Sequence, residues 1–152
     1  MQVQLNDELA HVAFGEALGR ALKGRGRVYL EGELGAGKTT LTRGILRAYG
    51  YQGAVKSPTY TLLEPYEFDG QRVYHLDLYR LGDPEELEFI GGRDILSDEA
   101  LCVIEWPSRG DGWLPLADVR VVLSVADLGR VATLTPESSR GEQVLAALDT
   151  LT

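Results

Sequence analysis

The sequence predicts a single α/β domain in which a mixed parallel and antiparallel sheet is flanked by helices. Three observations support this fold class. Residues 32–39, Gly-Glu-Leu-Gly-Ala-Gly-Lys-Thr, fit the pattern G-x-x-x-x-G-K-[S/T] at every required position. A β-branched and aromatic run at 27–31 precedes this loop, and apolar residues at helical spacing follow it as far as Gly50. A continuous apolar run then ends in Glu105, which is typical of a parallel strand buried on both faces. The class indicated is the P-loop NTPase fold.

Composition limits the possible functions. The 152 residues are expected to form one domain, 1–152, which is long enough to bury about two thirds of its unfolded surface. A net charge of −8 disfavours autonomous binding to nucleic acid, so a partner is expected to hold any RNA. The single Cys102 has apolar neighbours and is predicted to be buried, in a reducing compartment. No signal peptide or membrane-length apolar run is seen, and a cytoplasmic location is expected.

The first half of the chain is expected to begin with a helix and to include a hairpin. Asn6 or Asp7 is the predicted cap of a helix that runs to about Lys23 and stops at Gly24. After the loop and its helix, residues 60–68 and 71–78 are predicted strands. Asp-Gly at 69–70 joins them, a favoured two-residue hairpin turn. An antiparallel ribbon is therefore expected beside the parallel strands.

The second half is expected to contain three strands and two helix starts. Asp83 is the predicted cap of a helix with Pro84 at its first position and Glu86 completing the cap. Residues 101–105 form the buried strand, and 119–126 and 130–135 form a second hairpin around a turn at 127–129. Ser139 and Glu142 are predicted to form the capping box of the final helix.

The loop pattern has a chemical explanation. Its glycines allow several backbone N–H groups to point at one polyphosphate, and the following helix presents its positive end. Lys38 adds a full positive charge that can reach the β and γ phosphates, and the Thr39 hydroxyl is placed to bind Mg²⁺. The sequence therefore predicts a nucleotide site.

Candidate acids and hydroxyls lie outside the loop. Glu105 is favoured as the acid near Mg²⁺, because its strand is the most apolar and ends at the edge where ligands bind. Asp77 is the competing candidate; its alternative is a structural contact with Arg80. Whether Asp77 or Glu105 positions the attacking water stays open. Thr59 is either a switch residue or part of a plain Ser-Pro-Thr turn. His75 is expected to be a hydrogen-bonded structural group rather than a proton carrier.

The base and the reaction class are narrowed by what the sequence lacks. The only asparagine is Asn6, so an Asn-Lys-x-Asp guanine box cannot exist, and ATP is favoured over GTP. Two alternatives to an ATP hydrolase remain. A small-molecule kinase would need an arginine-bearing lid, whereas region 83–99 is acidic and contains Arg93 alone. An ATP-dependent switch without useful turnover is not excluded by any sequence feature.

Four further motifs follow the loop in order: Val-Lys-Ser-Pro-Thr-Tyr-Thr-Leu at 55–62, His-x-Asp-Leu-Tyr-Arg-Leu at 75–81, Asp-Pro-Glu-Glu-Leu-Glu-Phe at 83–89 and Ile-Glu-Trp-Pro at 104–107. Together with residues 32–40 they resemble the TsaE family, formerly YjeE. The resemblance extends from about Asp7 to near Leu134. The loop alone is common to many unrelated enzymes, but the ordered set is specific to this family. The departures, at Leu76 and at Gly91-Gly92, do not touch the proposed chemistry.

This resemblance implies a small bacterial ATPase of the threonylcarbamoyladenosine pathway, which modifies the adenosine beside the anticodon of certain tRNAs. It implies Mg-ATP as cofactor, and a TsaB–TsaD heterodimer as the partner that contacts the tRNA and stimulates a weak intrinsic hydrolysis. Thr39 and Glu105 would bind Mg²⁺, Thr59 would belong to a switch loop and Asp77 would be needed for hydrolysis. Glu8 would lie near the adenine or ribose. The implied nucleotide-binding loop residues are Glu33, Leu34, Gly35, Ala36, Gly37, Lys38, Thr39 and Thr40.

Overall fold

The computed structural model describes residues 1–33, 35–58, 61–97, 100–127 and 129–151, without the side chains at 97 and 151. Leu34 and Thr59, two of the predicted site residues, lie outside the described residues. The elements in chain order are β1 Gln2–Leu5, α1 Glu8–Leu22, β2 Gly26–Glu31, α2 Lys38–Ala48, β3 Leu63–Phe68, β4 Gln71–Asp77, α3 Glu86–Phe89, α4 Gly92–Ser97, β5 Leu101–Glu105, a short 3-10 helix Pro107–Gly110, β6 Val119–Ala126, β7 Gly129–Pro136 and α5 Ser139–Leu151.

The strands form one seven-stranded sheet in the order β1-β7-β6-β2-β5-β4-β3. Four neighbouring strands are parallel, because β2 pairs in parallel with β5 and β6, and β5 pairs in parallel with β4. The pairs β1–β7, β6–β7 and β3–β4 are antiparallel. The predicted mixed sheet and the antiparallel ribbon beside it are confirmed.

Side-chain alternation divides the core between the two faces of the sheet. Val28 and Leu30 of β2 lie in the cluster that includes residues of α1, α2 and α5, whereas Tyr29 lies in the cluster that includes residues of α3 and α4. The same period of two applies to β5, where Val103 is in the first cluster and Ile104 is in the second. Residues of β4 and β5 that share the parity of Val103 therefore face the layer that contains α2.

Helices α1 and α2 approach each other closely because two glycines meet at their crossing. A Cβ on Gly15 would lie 2.6 Å from the carbonyl oxygen of Leu41, and one on Gly44 would clash with the carbonyl oxygen of Val12. Asp7 caps α1 as predicted, since its Oδ1 accepts from the N–H of Ala10 at 2.8 Å. The capped α1 thus fixes the position of α2, whose first turn follows the loop.

Several predicted boundaries differ from the structure. The edge strand β1 was not predicted, and the predicted strand 60–68 begins at Leu63. The expected capping box of Ser139 and Glu142 is wrong by one residue, because the Ser138 hydroxyl accepts from the N–H of Gly141 at 2.9 Å. Asp83 does accept from the N–H of Glu85 at 2.9 Å, but the α-helix proper starts only at Glu86.

Candidate nucleotide site

The loop between β2 and α2 depends on backbone conformations that favour glycine. Gly32, Gly35 and Gly37 have φ values of 154°, 84° and 99°. A Cβ on Gly32 would lie 2.6 Å from the carbonyl oxygen of Leu123, and one on Gly37 would clash with the ring of His11. The loop therefore cannot accept side chains at these two positions without a shift of its neighbours. α2 begins directly after it, so the N–H groups of its first turn, which have no acceptor within the helix, face the loop.

Lys38 is buried at the start of α2, with 6% of its surface exposed. Its Nζ donates to the carbonyl oxygen of Gly32 at 2.8 Å and lies 3.7 Å from Oε1 of Glu105. The same ammonium lies 4.4 Å from the ring centroid of Trp106. A carbonyl, a carboxylate and an aromatic ring therefore surround the cation at the carboxyl end of the central strands.

Glu105 and Asp77, the two competing acids, lie side by side. β4 and β5 are parallel and in register, and Asp77 is the direct neighbour of Glu105 at the last position of both strands. Both side chains are buried, with 4% of Asp77 and 3% of Glu105 exposed. Asp77 accepts from the N–H of Tyr79 at 2.9 Å through Oδ1. The structure thus brings both acids to the ligand edge of the sheet.

His75 contacts the other oxygen of the Glu105 carboxylate from the one that Lys38 approaches. Its Nε2 lies 2.5 Å from Oε2 of Glu105, and the ring is fully buried. This contact agrees with the expected hydrogen bond of His75, and the choice of a structural group over a proton carrier stays a prediction. Its other nitrogen, Nδ1, has no hydrogen-bond partner among the residues that the structure describes.

A cavity of about 310 Å³ connects these groups. Its lining includes Lys38, Asp77 and Glu105, with Ser57 at its rim and the loop and first-turn residues Gly35, Gly37, Thr39 and Thr40. Thr39 and Thr40 are therefore placed beside the two acids. Ser57 lies two residues before Thr59, which is outside the described residues.

A second cavity of about 330 Å³ lies on the other side of the loop. It is lined by Leu5, Asp7, Glu8, His11, Gly35, Gly37, Thr40, Gly129 and Arg130. Glu8, which was predicted to lie near the adenine or ribose, forms an ion pair here with Arg43. The two cavities share Gly35, Gly37 and Thr40, so together they flank the loop with room for an elongated ligand.

His11 and Arg130 line this second cavity but were not predicted. Arg130 donates to the carbonyl oxygen of Gly35 at 3.0 Å, and the His11 ring packs against Gly37. Burial, followed by the charges of Arg130 and Arg43, lowers the pKa of His11 below its ordinary 6.5. His11 lies three residues after Glu8 and so on the same helix face, which is a usable signal. The sequence gives no such signal for Arg130, because the β6–β7 hairpin that carries it comes close to the loop only in the folded chain.

Two oxygen-bearing side chains of the first cavity fit the requirements of magnesium. Among the described residues no group of three or more His, Cys, Asp and Glu side chains forms a metal cage. Mg²⁺ in nucleotide sites is held by one or two protein oxygens together with phosphate oxygens and water. Thr39 and Glu105, which line one cavity and carry a hydroxyl and a carboxylate, fit that requirement.

The remaining features of the described chain do not compete with this site. A larger cavity, about 500 Å³, includes Arg27 at the opposite end of β2, and none of the described residues that line it carries a carboxylate. Within the described ranges, no helix is both long and apolar enough to cross a membrane. Arg93 is the one arginine of segment 83–99, in which a kinase would need an arginine-bearing lid. It pairs with Glu88 at 2.7 Å.

The mixed sheet and the strand–loop–helix unit define an α/β protein with the P-loop NTPase fold. The family model described as "Threonylcarbamoyl adenosine biosynthesis protein TsaE" matches residues 5–131, and the chain belongs to this family.

Similar proteins agree with this assignment. The "tRNA threonylcarbamoyladenosine biosynthesis protein TsaE" of Haemophilus influenzae is 52% identical over 120 residues, which is 79% of this chain and 76% of that protein. The protein of the same name from Bacillus subtilis is 35% identical over 120 residues, or 78% and 75% of the two chains. The crystal structure of Bacillus subtilis YdiB superposes with a TM-score of 0.83 at 25% identity, covering 99% of this chain and 95% of that one.

Proposed function

We propose that this protein is an ATP hydrolase of tRNA threonylcarbamoyladenosine biosynthesis, active with Mg-ATP in complex with a TsaB–TsaD heterodimer. The observation that carries the proposal is the convergence of a buried lysine and two in-register acids on one cavity beside a glycine loop. The role in the pathway comes from the names of the relatives, of which the Haemophilus influenzae protein is 52% identical. A cytoplasmic location belongs to the same proposal.

The residues of the loop are suited to bind and orient a polyphosphate. The positive end of α2, the backbone N–H groups of residues 35–40 and the Lys38 ammonium attract negative charge to one place. No acidic residue lies in the first turn of α2, so nothing there opposes the anion. Lys38 would exchange its contact with the Gly32 carbonyl for phosphate oxygens.

The acids and the threonine would complete the site. Thr39 and Glu105 would hold Mg²⁺, which neutralises phosphate charge and aligns the phosphoryl group when bound. Asp77, next to Glu105, would orient the attacking water, while the exposed loop residues Glu33 and Gly35 would contribute their backbone groups to phosphate binding. Thr59 would act as the switch residue that the resemblance to the family implies. The nucleoside would extend into the cavity that Glu8 lines.

Weak activity in isolation is part of this proposal. In other nucleotide hydrolases an arginine supplied by a partner accelerates turnover by about 10³–10⁵-fold. Around the cavity between Lys38 and Glu105, no arginine lines the wall among the described residues. A partner that supplies or orders such a charge would also hold the tRNA, since this chain carries a net charge of −8.

The test is phosphate release from Mg-ATP by the purified protein, with and without the TsaB–TsaD pair. Lys38→Ala, which removes the ammonium from the cavity, serves as the blank. We expect slow release by the protein alone, stimulation of at least about tenfold by the pair, and neither in the variant.

Three results would contradict the proposal. Tight ATP binding without phosphate release in the presence of the pair would favour a non-hydrolysing switch. Transfer of the γ phosphate to a metabolite, detected as a phosphorylated product instead of free phosphate, would favour a kinase. Equal phosphate release by the wild type and Lys38→Ala would remove the loop from the reaction altogether.

A further inference from the structure

His75 is a fully buried polar side chain to which the proposed mechanism assigns no role. It lies on β4, on the face shared with Val73, which belongs to the apolar cluster beneath α1 and α2. Its strand neighbour on β5 is Val103, which is also fully buried. An imidazole in such surroundings costs free energy unless its nitrogens are bonded, and among the described residues only Nε2 has a partner. A valine or leucine would fill the same position without this cost.

The two oxygens of Glu105 face different groups. Oε2 lies 2.5 Å from His75 Nε2, and Oε1 lies 3.7 Å from Lys38 Nζ. A glutamate side chain has three rotatable bonds. The contact of 2.5 Å with His75 restricts them by holding one of the two oxygens in place. With Oε2 bonded to His75, Oε1 is the oxygen that remains for a ligand in the cavity that Glu105 and Thr39 both line.

We propose that His75 is a positioning residue that holds the Glu105 carboxylate with one oxygen presented to a divalent cation. This inference rests on the proposed function of the cavity as a Mg-ATP site. In this arrangement His75 donates Nε2–H to Oε2 and keeps a lone pair on Nδ1. Residues that orient a metal-binding side chain in this way typically contribute 10–100-fold to metal affinity.

Asp77 does not duplicate this arrangement. Its Oδ1 accepts the N–H of Tyr79, two residues further along the chain, so a local backbone turn orients it. Glu105 is followed by Trp106, which adopts a left-handed conformation with φ 55° and starts a 3-10 helix. Side chains of two other elements contact the Glu105 carboxylate, His75 of β4 and Lys38 of α2, and the contact with His75 is the shorter one.

The experiment compares two substitutions that differ in the hydrogen bond. His75→Gln keeps an N–H donor near the position of Nε2, whereas His75→Leu keeps a buried side chain without a donor. Val73→Ala, on the same strand and face, is a control that opens a cavity without touching Glu105. The affinity for Mn²⁺ is measured by electron paramagnetic resonance on each protein with a non-hydrolysable ATP analogue.

We expect His75→Leu to weaken Mn²⁺ binding about 10–100-fold while His75→Gln stays within a few-fold of the wild type. Val73→Ala should lose stability and keep its Mn²⁺ affinity. If His75→Leu binds Mn²⁺ as tightly as the wild type does, the positioning role is overturned. If the wild type shows no nucleotide-dependent Mn²⁺ binding, the proposed function is overturned together with this role.

A spectroscopic readout tests the contact independently of any cation. The chain has two histidines, so the imidazole ¹⁵N signals of His75 are assigned by comparison with His75→Gln. We expect the Nε2–H form in the wild type and a changed ring signal in Glu105→Gln, with His11 unaffected. The Nδ1–H form, or a ring signal that ignores Glu105→Gln, would overturn the inference.

Discussion

The buried charges around Lys38 make a quantitative prediction about stability without nucleotide. Replacing Lys38 by methionine keeps most of the side-chain volume but leaves the Glu105 carboxylate, 3% exposed, without its ammonium neighbour. At an effective dielectric of about 20, opposite unit charges 3.7 Å apart attract by about 4.5 kcal/mol before desolvation is counted. Breaking a buried ion pair by removing one partner costs about 3–5 kcal/mol. We therefore expect Lys38→Met to lower the free energy of unfolding by about 3 kcal/mol.

A double-mutant cycle separates this pair from other effects of the substitution. Glu105→Gln replaces the carboxylate by a neutral group of the same shape. In the Lys38→Met background this second change removes the uncompensated charge, so the double variant should recover stability relative to Lys38→Met alone. The free energies of unfolding are measured by urea denaturation at neutral pH, and a coupling of about 1–3 kcal/mol is expected.

An exposed ion pair provides the matched control. Arg120 contacts Glu31 at 2.7 Å and Glu137 at 3.1 Å, and about a third of its side chain is exposed. The hydrogen bonds that Arg120 donates to Glu137 and Glu31 raise its pKa, so it stays charged throughout the experiment. The Arg120→Gln and Glu31→Gln cycle should give no more than about 1 kcal/mol of coupling. If the Lys38 and Glu105 substitutions are additive within about 0.5 kcal/mol, the assignment of a buried, coupled pair is refuted.

Two further predictions concern the neighbourhood of the loop. Gly44→Ala should destabilise the protein by about 1–3 kcal/mol despite the better helix propensity of alanine, because its Cβ would meet the α1 backbone. Thermal unfolding should show no such loss for the control Arg47→Ala, on the exposed face of α2. A Gly44→Ala variant as stable as the wild type would contradict the close packing of the two helices. The pKa of His11 is lowered in the folded protein, so below about pH 6.5 the unfolded chain binds the proton more readily than the folded one. The free energy of unfolding therefore decreases as the pH is lowered. His11→Gln should reduce this acid slope in urea titrations between pH 5 and about pH 7, and an unchanged slope would exclude His11 as its source.

Most of the fold follows from local patterns in the sequence. The loop, its flanking strand and helix, and the turn at 69–70 are each encoded within a few neighbouring residues, and all are found where predicted. The strand β1 was missed because only Leu5 of its four residues is buried and its stability comes from pairing with β7 more than a hundred residues away. The cap of α5 was misplaced because Ser138 and Ser139 are adjacent hydroxyl residues, and only the geometry selects the first.

The sequence predicts those residues of the candidate site that lie at the ends of recognisable strands. Glu105 and Asp77 were both chosen because each ends an apolar run, and they do lie at one edge of the sheet. Their direct adjacency depends on the strand order β2-β5-β4, which no local pattern contains. Arg130 and His11 reach the second cavity from the β6–β7 hairpin and from α1, so their contribution required the tertiary structure.

Asp77 and Glu105, between which the sequence does not decide, differ in the groups that contact them. Oδ1 of Asp77 accepts a backbone N–H of its own chain segment, that of Tyr79. Glu105 is held by side chains from two other elements, His75 and Lys38, so its position responds to whatever draws the lysine away. A ligand that attracts Lys38 leaves Glu105 bonded to His75 with Oε1 released. On this ground we propose Glu105, rather than Asp77, as the acid that binds the cation, with Asp77 as the group that positions the attacking water.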